Sequence, residues 1–550
     1  RALMLAGLGL PSINGSDAEE ARRSANAQSA GDRALAMERL LALRRESARL
    51  QDDVRRAEKA VRAMHKLYAV IRTLVTEPHA GHPPNTEGLD LRRYDIVIVG
   101  GGAAGCALAS ALGTSGTLGN LRVALVDPSK LSDTRQWQPP TDTFLPRTLQ
   151  ITASNKRYFE QRGVWGECFT DRIQACNRAV VTDAIGRGML DLDASDPTSI
   201  SPVFSTSADV NDSVAFMIET KNLVSGLLRS IHQSRMQIDV FERTKVVKID
   251  SGSESVRWPV VTLSNNTTLQ ARLLVGADGG SSQVRKFGGI DTYGTEYGQY
   301  GLAATLCLDQ LNTTAFQRFL PTGPVAILPF PGGFANLIWS TGPEQLQLLK
   351  SVSTELFSTL VNAAFRLTPA EIEYFYDLVR SGTADNAIVK EILWRLDVHA
   401  KSYNFGAISK LTLPPRVAAT MPKSRLSFPL RMRIVDSLVS DRVALVGDSG
   451  HVMHPLAGQG LNMGLEDVKC LVETLEQAVL SGQDIGISAV LEKYNKQRYV
   501  RNLAMQGVVD KVWNVFGTDA GSIARMRSLA MNSLDSFSAA KKLLLKTMMT

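Results

Sequence analysis

Cysteine is scarce in this 550-residue chain: Cys106, Cys168, Cys176, Cys307 and Cys470 are its five, scattered and without a Cys-x-x-Cys pair. That pattern argues against a thiolate metal cluster and for a reducing compartment. Long apolar runs are missing too. No uninterrupted stretch reaches the roughly 18 residues that would read as a membrane-spanning helix, so the chain reads as soluble or peripheral. Blocks of like charge are also absent. The formal net charge is +7, but Lys and Arg are spread along the chain, which disfavours a nucleic-acid partner and leaves proximity to anionic lipid, or mitochondrial import, as readings of the excess. The opening stretch RALMLAGLGLPSINGS is apolar and lightly basic, as the end of a targeting segment or a truncated start would be.

What is there begins with size. A chain that is 44% hydrophobic and 21% charged has room for two or more packed units. Residues 17–76 are rich in Ala, Arg, Glu and Leu and lack Pro, which predicts one long helix. Within it Leu40, Leu43, Leu50, Val54, Val61 and Met64 belong to a three-four repeat running on to Val75, interrupted by Ser47. Such a heptad seam over residues 36–75 predicts a helical partner or self-association, with a helix laid on its own domain as the alternative. The Pro- and Gly-containing stretch 77–88 then marks a linker.

Chemistry is carried by three strand-to-loop elements. In YDIVIVGGGAAGCALASAL the glycines Gly100, Gly102 and Gly105 join a buried strand to a helix, and Asp127 ends the next strand. This spacing predicts dinucleotide binding: bare backbone approaches a pyrophosphate at a helix N-terminus, and the acid holds a ribose hydroxyl. The second element runs from a strand into Asp278 and Gly279, then Ser282 and Arg285. In the third, VALVGDSGHVMHPLAGQGLNMGLEDV, Gly447 and Asp448 end a strand, and Gly458, Gln459 and Gly460 lead into a helix beginning near Leu461 and Asn462. His451 and His454 have a spacing that suits a metal, but no third ligand with a suitable pattern accompanies them, so a metal is not expected.

These three elements, with TGPVAILPFPGG and LPPRVAATMPKSRLSFPL, resemble the FAD-dependent aromatic hydroxylases related to para-hydroxybenzoate hydroxylase, from about residue 93 to 530. Within that group they are most similar to the ubiquinone-biosynthesis hydroxylases of the mitochondrial Coq6 type. The resemblance implies an α/β fold in which a Rossmann-like FAD-binding domain (91–170, 216–292 and 421–478) is interleaved with a mixed-sheet substrate domain (171–215 and 293–420). A long N-terminal helix and linker (1–90) and a helical C-terminal region (479–550) flank it. It implies FAD as cofactor, Asp448 on the ribitol, Asp278 and Gly279 near the pyrophosphate, Arg147 reaching the cofactor, and Pro455 at the flavin edge. Ser449 and Gly450 stand where relatives often carry two alanines.

The implied activity is monooxygenation of a polyprenyl-phenol or benzoate ring through a flavin hydroperoxide, in which the cofactor carries the hard chemistry. Tyr297, Gln299, Phe330 and Trp339 are candidates for lining the ring pocket, with sheet core as the competing role. The implied partners are dioxygen, a lipophilic phenol, an external electron donor (a ferredoxin system or NAD(P)H) and a peripheral membrane contact on the matrix side of the mitochondrial inner membrane. A scaffold subunit that keeps the flavin fold, held in a larger assembly by its N-terminal helix, is the alternative function.

Overall fold

The computed structural model describes residues 91–537 and 541, apart from 187, 195–212, 235, 253–256, 404–411, 455–457 and 518–520. The predicted N-terminal helix with its heptad seam, and Pro455, lie outside the described residues.

The apolar run preceding the first glycines forms the strand Leu91–Val99, whose inner residues Ile96, Val97 and Ile98 are wholly buried. It pairs in parallel with Val123–Val126 on one side and Thr268–Gly276 on the other. Val443–Leu445 extends the same sheet beyond Thr268–Gly276, and Ile238–Phe241 extends it beyond Val123–Val126. Both faces are covered, as near-continuous apolar strands require. The helices Ala103–Gly113, Thr220–Gln233 and Gly460–Leu480 supply the cover. The consequence is functional: the strands that precede the three glycine loops are adjacent, so their carboxyl ends open on one edge.

A second, nine-stranded sheet is mixed. Its central strand, Thr292–Leu308, runs 17 residues and pairs antiparallel with Leu426–Val435 and Phe334–Thr341. Leu426–Val435 thus belongs to this sheet, so the chain returns to the first sheet near residue 439 and not at 421. One face packs on the helices Pro343–Ser351, Thr354–Arg366 and Pro369–Arg380 through Leu337, Trp339, Leu356 and Phe357. The other face looks back toward the glycine loops. A small sheet of Thr148–Ile151, Ala215–Glu219 and Gln174–Cys176 joins the two. Arg172 and Glu219 pin it with a buried ion pair at 2.8 Å.

Candidate active site

Each glycine of the first loop has its own steric reason. Gly100 adopts φ +110°, and a β-carbon there would lie 2.2 Å from the Ala277 carbonyl oxygen. One on Gly105 would come within 1.8 Å of the Gly100 carbonyl oxygen, so the helix packs on the strand only without it. Gly102 differs: a β-carbon there would meet nothing within 4 Å. It begins the helix Ala103–Gly113 with no side-chain cap, leaving the first amides of that helix facing open space. Asp127 braces the turn, its carboxylate accepting from the Gly101 amide at 2.6 Å and the Ser129 amide at 2.7 Å.

The second loop is built around backbone capping. Asp278 accepts from the amides of Gln283 and Val284, and the Ser282 hydroxyl accepts from the Arg285 amide. Arg285 is buried and donates to the carbonyls of Ser449 and Gly280, both at 2.8 Å, tying the second loop to the third. Burial holds its guanidinium below the usual range. Ser282 and Arg285 therefore buttress the loops and do not border the open space, a correction to their expected role as cofactor contacts. A single Ser or Arg after a glycine turn does not reveal which way it will point.

In the third loop Gly447 (φ +61°) lies against Ala104 and Gly464. Asp448 is open to the cavity yet enclosed by protein, and this burial raises its carboxyl above the usual range while His451 pulls it down. Gly458, also left-handed, abuts Gln150, and Gln459 precedes the helix Gly460–Leu480 without capping it. Asn462 clamps that helix start, accepting from the Thr152 amide and Asn155 and donating to the Gln150 carbonyl at 2.8 Å.

Behind this loop stands a buried hub that the sequence reading missed. Asp467 accepts from His451 Nε2 at 2.5 Å, Arg498 Nε at 2.8 Å and the Gly447 amide at 3.1 Å. Asn502 adds a fourth contact at 3.1 Å. Burial alone would raise the Asp467 carboxyl, but His451 and Arg498 outweigh it and hold the group below the usual range. The only hint was an Asp on the inward side of a helix that starts beside the glycines.

His454 has a different setting. It is 1% exposed, neither ring nitrogen has a hydrogen-bond partner among the described residues, and its ring lies 4.7 Å from Trp513 and 5.1 Å from Tyr297 between centroids. Burial lowers its pKa to about 4. An unfolded chain takes up that proton near pH 6.5 and the folded one only near 4, so stability falls as pH drops through that window. Between pH 7 and 4 the loss from this group is about 3 kcal/mol, and His454→Phe is expected to flatten the slope in urea titrations at the two pH values.

All three loops open on one cavity of about 950 Å³. Gly102, Arg147, Gly279, Asp448, Gly460 and Leu461 line one part. Its floor is a single row across the second sheet, Val181, Gln317, Ala326, Ile338, Ala303 and Leu426, neighbours in register on successive strands. None of Tyr297, Gln299, Phe330 and Trp339 lies on it. Side chains alternate along a strand, so Ile338 and Ser340 face the cavity and Trp339, wholly buried, faces the helices. Phe330 packs at a tilt against Phe144, the ring centroids 4.8 Å apart. A register shift between Glu296 and Tyr300 turns Tyr297 toward Asp510, whose carboxylate accepts its hydroxyl at 3.2 Å, and Gln299 donates to the Thr322 carbonyl.

The cradle fits FAD on its own geometry: open space before Gly102, an uncapped helix N-terminus beside it, and a cavity that continues past the glycine loops. This is the site of a flavoprotein of the para-hydroxybenzoate hydroxylase fold, with FAD as cofactor. A family model described as "FAD binding domain" matches residues 93–322 and 407–510, and the chain belongs to that family, among its mitochondrial ubiquinone-biosynthesis monooxygenases. It is 36% identical over 465 residues to "Ubiquinone biosynthesis monooxygenase COQ6, mitochondrial" of Saccharomyces cerevisiae, covering 82% of this chain and 93% of that one. The Schizosaccharomyces pombe protein of the same name is 32% identical, covering 83% and 92%. Among solved structures, the probable FAD-dependent monooxygenase pqsL of Pseudomonas aeruginosa superposes with a TM-score of 0.56 at 18% identity, covering 80% of this chain and all of that one. That likeness concerns the fold.

Proposed function

We infer that the chain is a mitochondrial flavin-dependent monooxygenase that hydroxylates the aromatic ring of a polyprenyl-phenol or benzoate intermediate of ubiquinone biosynthesis. The observation that carries the substrate reading is the continuity of one cavity from the glycine cradle to a row of the second sheet that is apolar except at Gln317. Bound FAD supplies the activation of dioxygen and the oxygen transfer.

The protein's part is to bind, orient and exclude water. Gly102 and the first amides of Ala103–Gly113 would take the pyrophosphate, and Asp448 the ribitol. The uncapped start of Gly460–Leu480 offers amides and a positive dipole end to the flavin ring, favouring negative charge on it. Ala303, Ala326 and Ile338 give a dry wall against which an aromatic ring can be aimed. A long apolar cavity suits a substrate with an isoprenoid tail better than a small free phenol.

Ala326→Trp tests this, because it fills the floor of the cavity away from the glycine loops. Flavin content is expected to stay at the wild-type level while ring hydroxylation falls by about 100-fold or more, two decades being about 2.7 kcal/mol of lost transition-state binding. Unchanged turnover with a tailed phenol would show that the ring lies elsewhere.

A further inference from the structure

Surface helices normally turn their apolar stripe inward. The last two long helices depart from this over part of their length, although Val490, Leu491, Tyr494 and Val509 of the first and Ala524 and Met531 of the second still face inward. In Ser488–Phe516 the inward side carries Arg498, Asn502 and Gln506, all buried. Asp467 satisfies the first two, and Gln506 donates to the carbonyls of Arg433 and Val452. The outward side carries Val500, Leu503, Ala504, Val508 and Val515, all exposed and spread along one side of the helix. Gly521–Ser536, packed beside it, repeats the pattern. There Arg527 is buried and paired with Asp183 at 2.8 Å, while Met526 is 72% and Leu529 69% exposed, and Phe537 just beyond is 67% exposed.

Among the described residues the fully exposed charges on this surface have one sign. The exposed ionic side chains among the described residues of 488–537 are Lys493, Lys496, Arg501, Lys511 and Arg525. The described acids there are half-buried and engaged: Asp510 accepts from Tyr297, Asp535 from the Asp191 amide and Lys541, and Glu492 from Asn495. Apolar side chains interspersed with cations match the interface of an anionic bilayer, where each cation near the surface adds attraction and the apolar groups enter the headgroup boundary. Such a surface is a poor match for the chain's own heptad segment, since residues 17–76 carry thirteen Lys and Arg against nine Asp and Glu.

We propose that the outward faces of Ser488–Phe516 and Gly521–Ser536 seat the protein on an anionic lipid bilayer. The inference rests on the reading of a lipid-tailed substrate and adds the surface that meets its solvent. Gln506 holds the carbonyl of Val452, which lines the cavity, so the lipid-facing helix also backs the cavity wall.

The test is cosedimentation of the full-length holoprotein with phosphatidylcholine vesicles, with and without cardiolipin. Binding is expected only with cardiolipin, weakening as salt is raised. Met526→Asp with Leu529→Asp should weaken it by about tenfold or more, and so should Arg501→Glu with Lys511→Glu. Flavin content and far-ultraviolet circular dichroism should be unchanged in both variants. No binding by the wild type, equal binding by all variants, loss only on removing residues 1–87, or a change in oligomeric mass in place of vesicle binding would each overturn the proposal. Hydroxylation of a short-tailed phenol in detergent is the control: its absence, with surface-dependent vesicle binding intact, would sink the catalytic reading and leave the docking surface standing.

Discussion

Gly102→Trp is expected to remove FAD from the purified protein while leaving the melting temperature of the cofactor-free form within a few degrees of wild type. The two halves of that result come from one fact: a β-carbon on Gly102 meets nothing within 4 Å, so the substitution collides with no protein atom at its root. The indole instead fills the space before the uncapped helix, where the pyrophosphate would sit. Gly105→Ala should behave oppositely. Its β-carbon would fall 1.8 Å from the Gly100 carbonyl oxygen, forcing the helix off the strand at a cost of about 1–3 kcal/mol or more, as overpacking does. Flavin absorbance and thermal melts of the two apo proteins separate these outcomes. If Gly102→Trp keeps its flavin, the cradle is not where the cofactor binds.

Asp467→Leu is expected to destabilise the protein by about 3–5 kcal/mol, the usual consequence of leaving a buried charge without its partner. Arg498 is buried and His451 is 2% exposed, and neither can turn to solvent for a replacement. The loss also frees the Gly447 amide, so the loop that ends in Asp448 loses its anchor and flavin affinity should fall with stability. Asp467→Asn keeps the shape and an acceptor while removing the charge, and should retain more of both. Urea unfolding of the apo forms against flavin titration of the folded ones distinguishes anchoring from packing. Equal flavin affinity in a destabilised Asp467→Asn would show that the hub supports the fold alone.

The glycine loops were legible because their constraints are local. A strand, three glycines and a helix follow one another within residues 91–113, and the steric need at Gly105 is set inside that run by Gly100, whereas that at Gly100 is set by the distant Ala277. The adjacency of strands 91–99, 268–276 and 443–445 follows from the parallel rule for such units. Where the reading failed, the deciding contact was distant or a matter of which face a residue takes. Trp339 is one position away from Ile338, and only sheet register decides which of them meets the cavity. The floor residues Ala303 and Ala326 are small and apolar, unremarkable in any strand. Tyr297 was displaced by a bulge that no propensity announces. The partners of Asp467 lie 16, 20, 31 and 35 residues away, on elements whose meeting is a product of the whole fold.

The three loops that open on the cavity are far apart along the chain, and this governs when the site can exist. Gly105 leaves the ribosome long before Gly464, the residue that packs against Gly447. At about 5–20 residues per second, the roughly 360 intervening residues represent roughly 20–70 s of synthesis during which the first glycine loop has no complement. Until the third loop is made, a nascent chain has a strand and a helix ready for a pyrophosphate but lacks Asp448, Gly460 and Leu461, which line the cavity beside them. Cofactor loading therefore waits on the late-made third loop, and the newly made protein passes through a stage in which the cavity between the loops must be kept from collapse without the group that fills it.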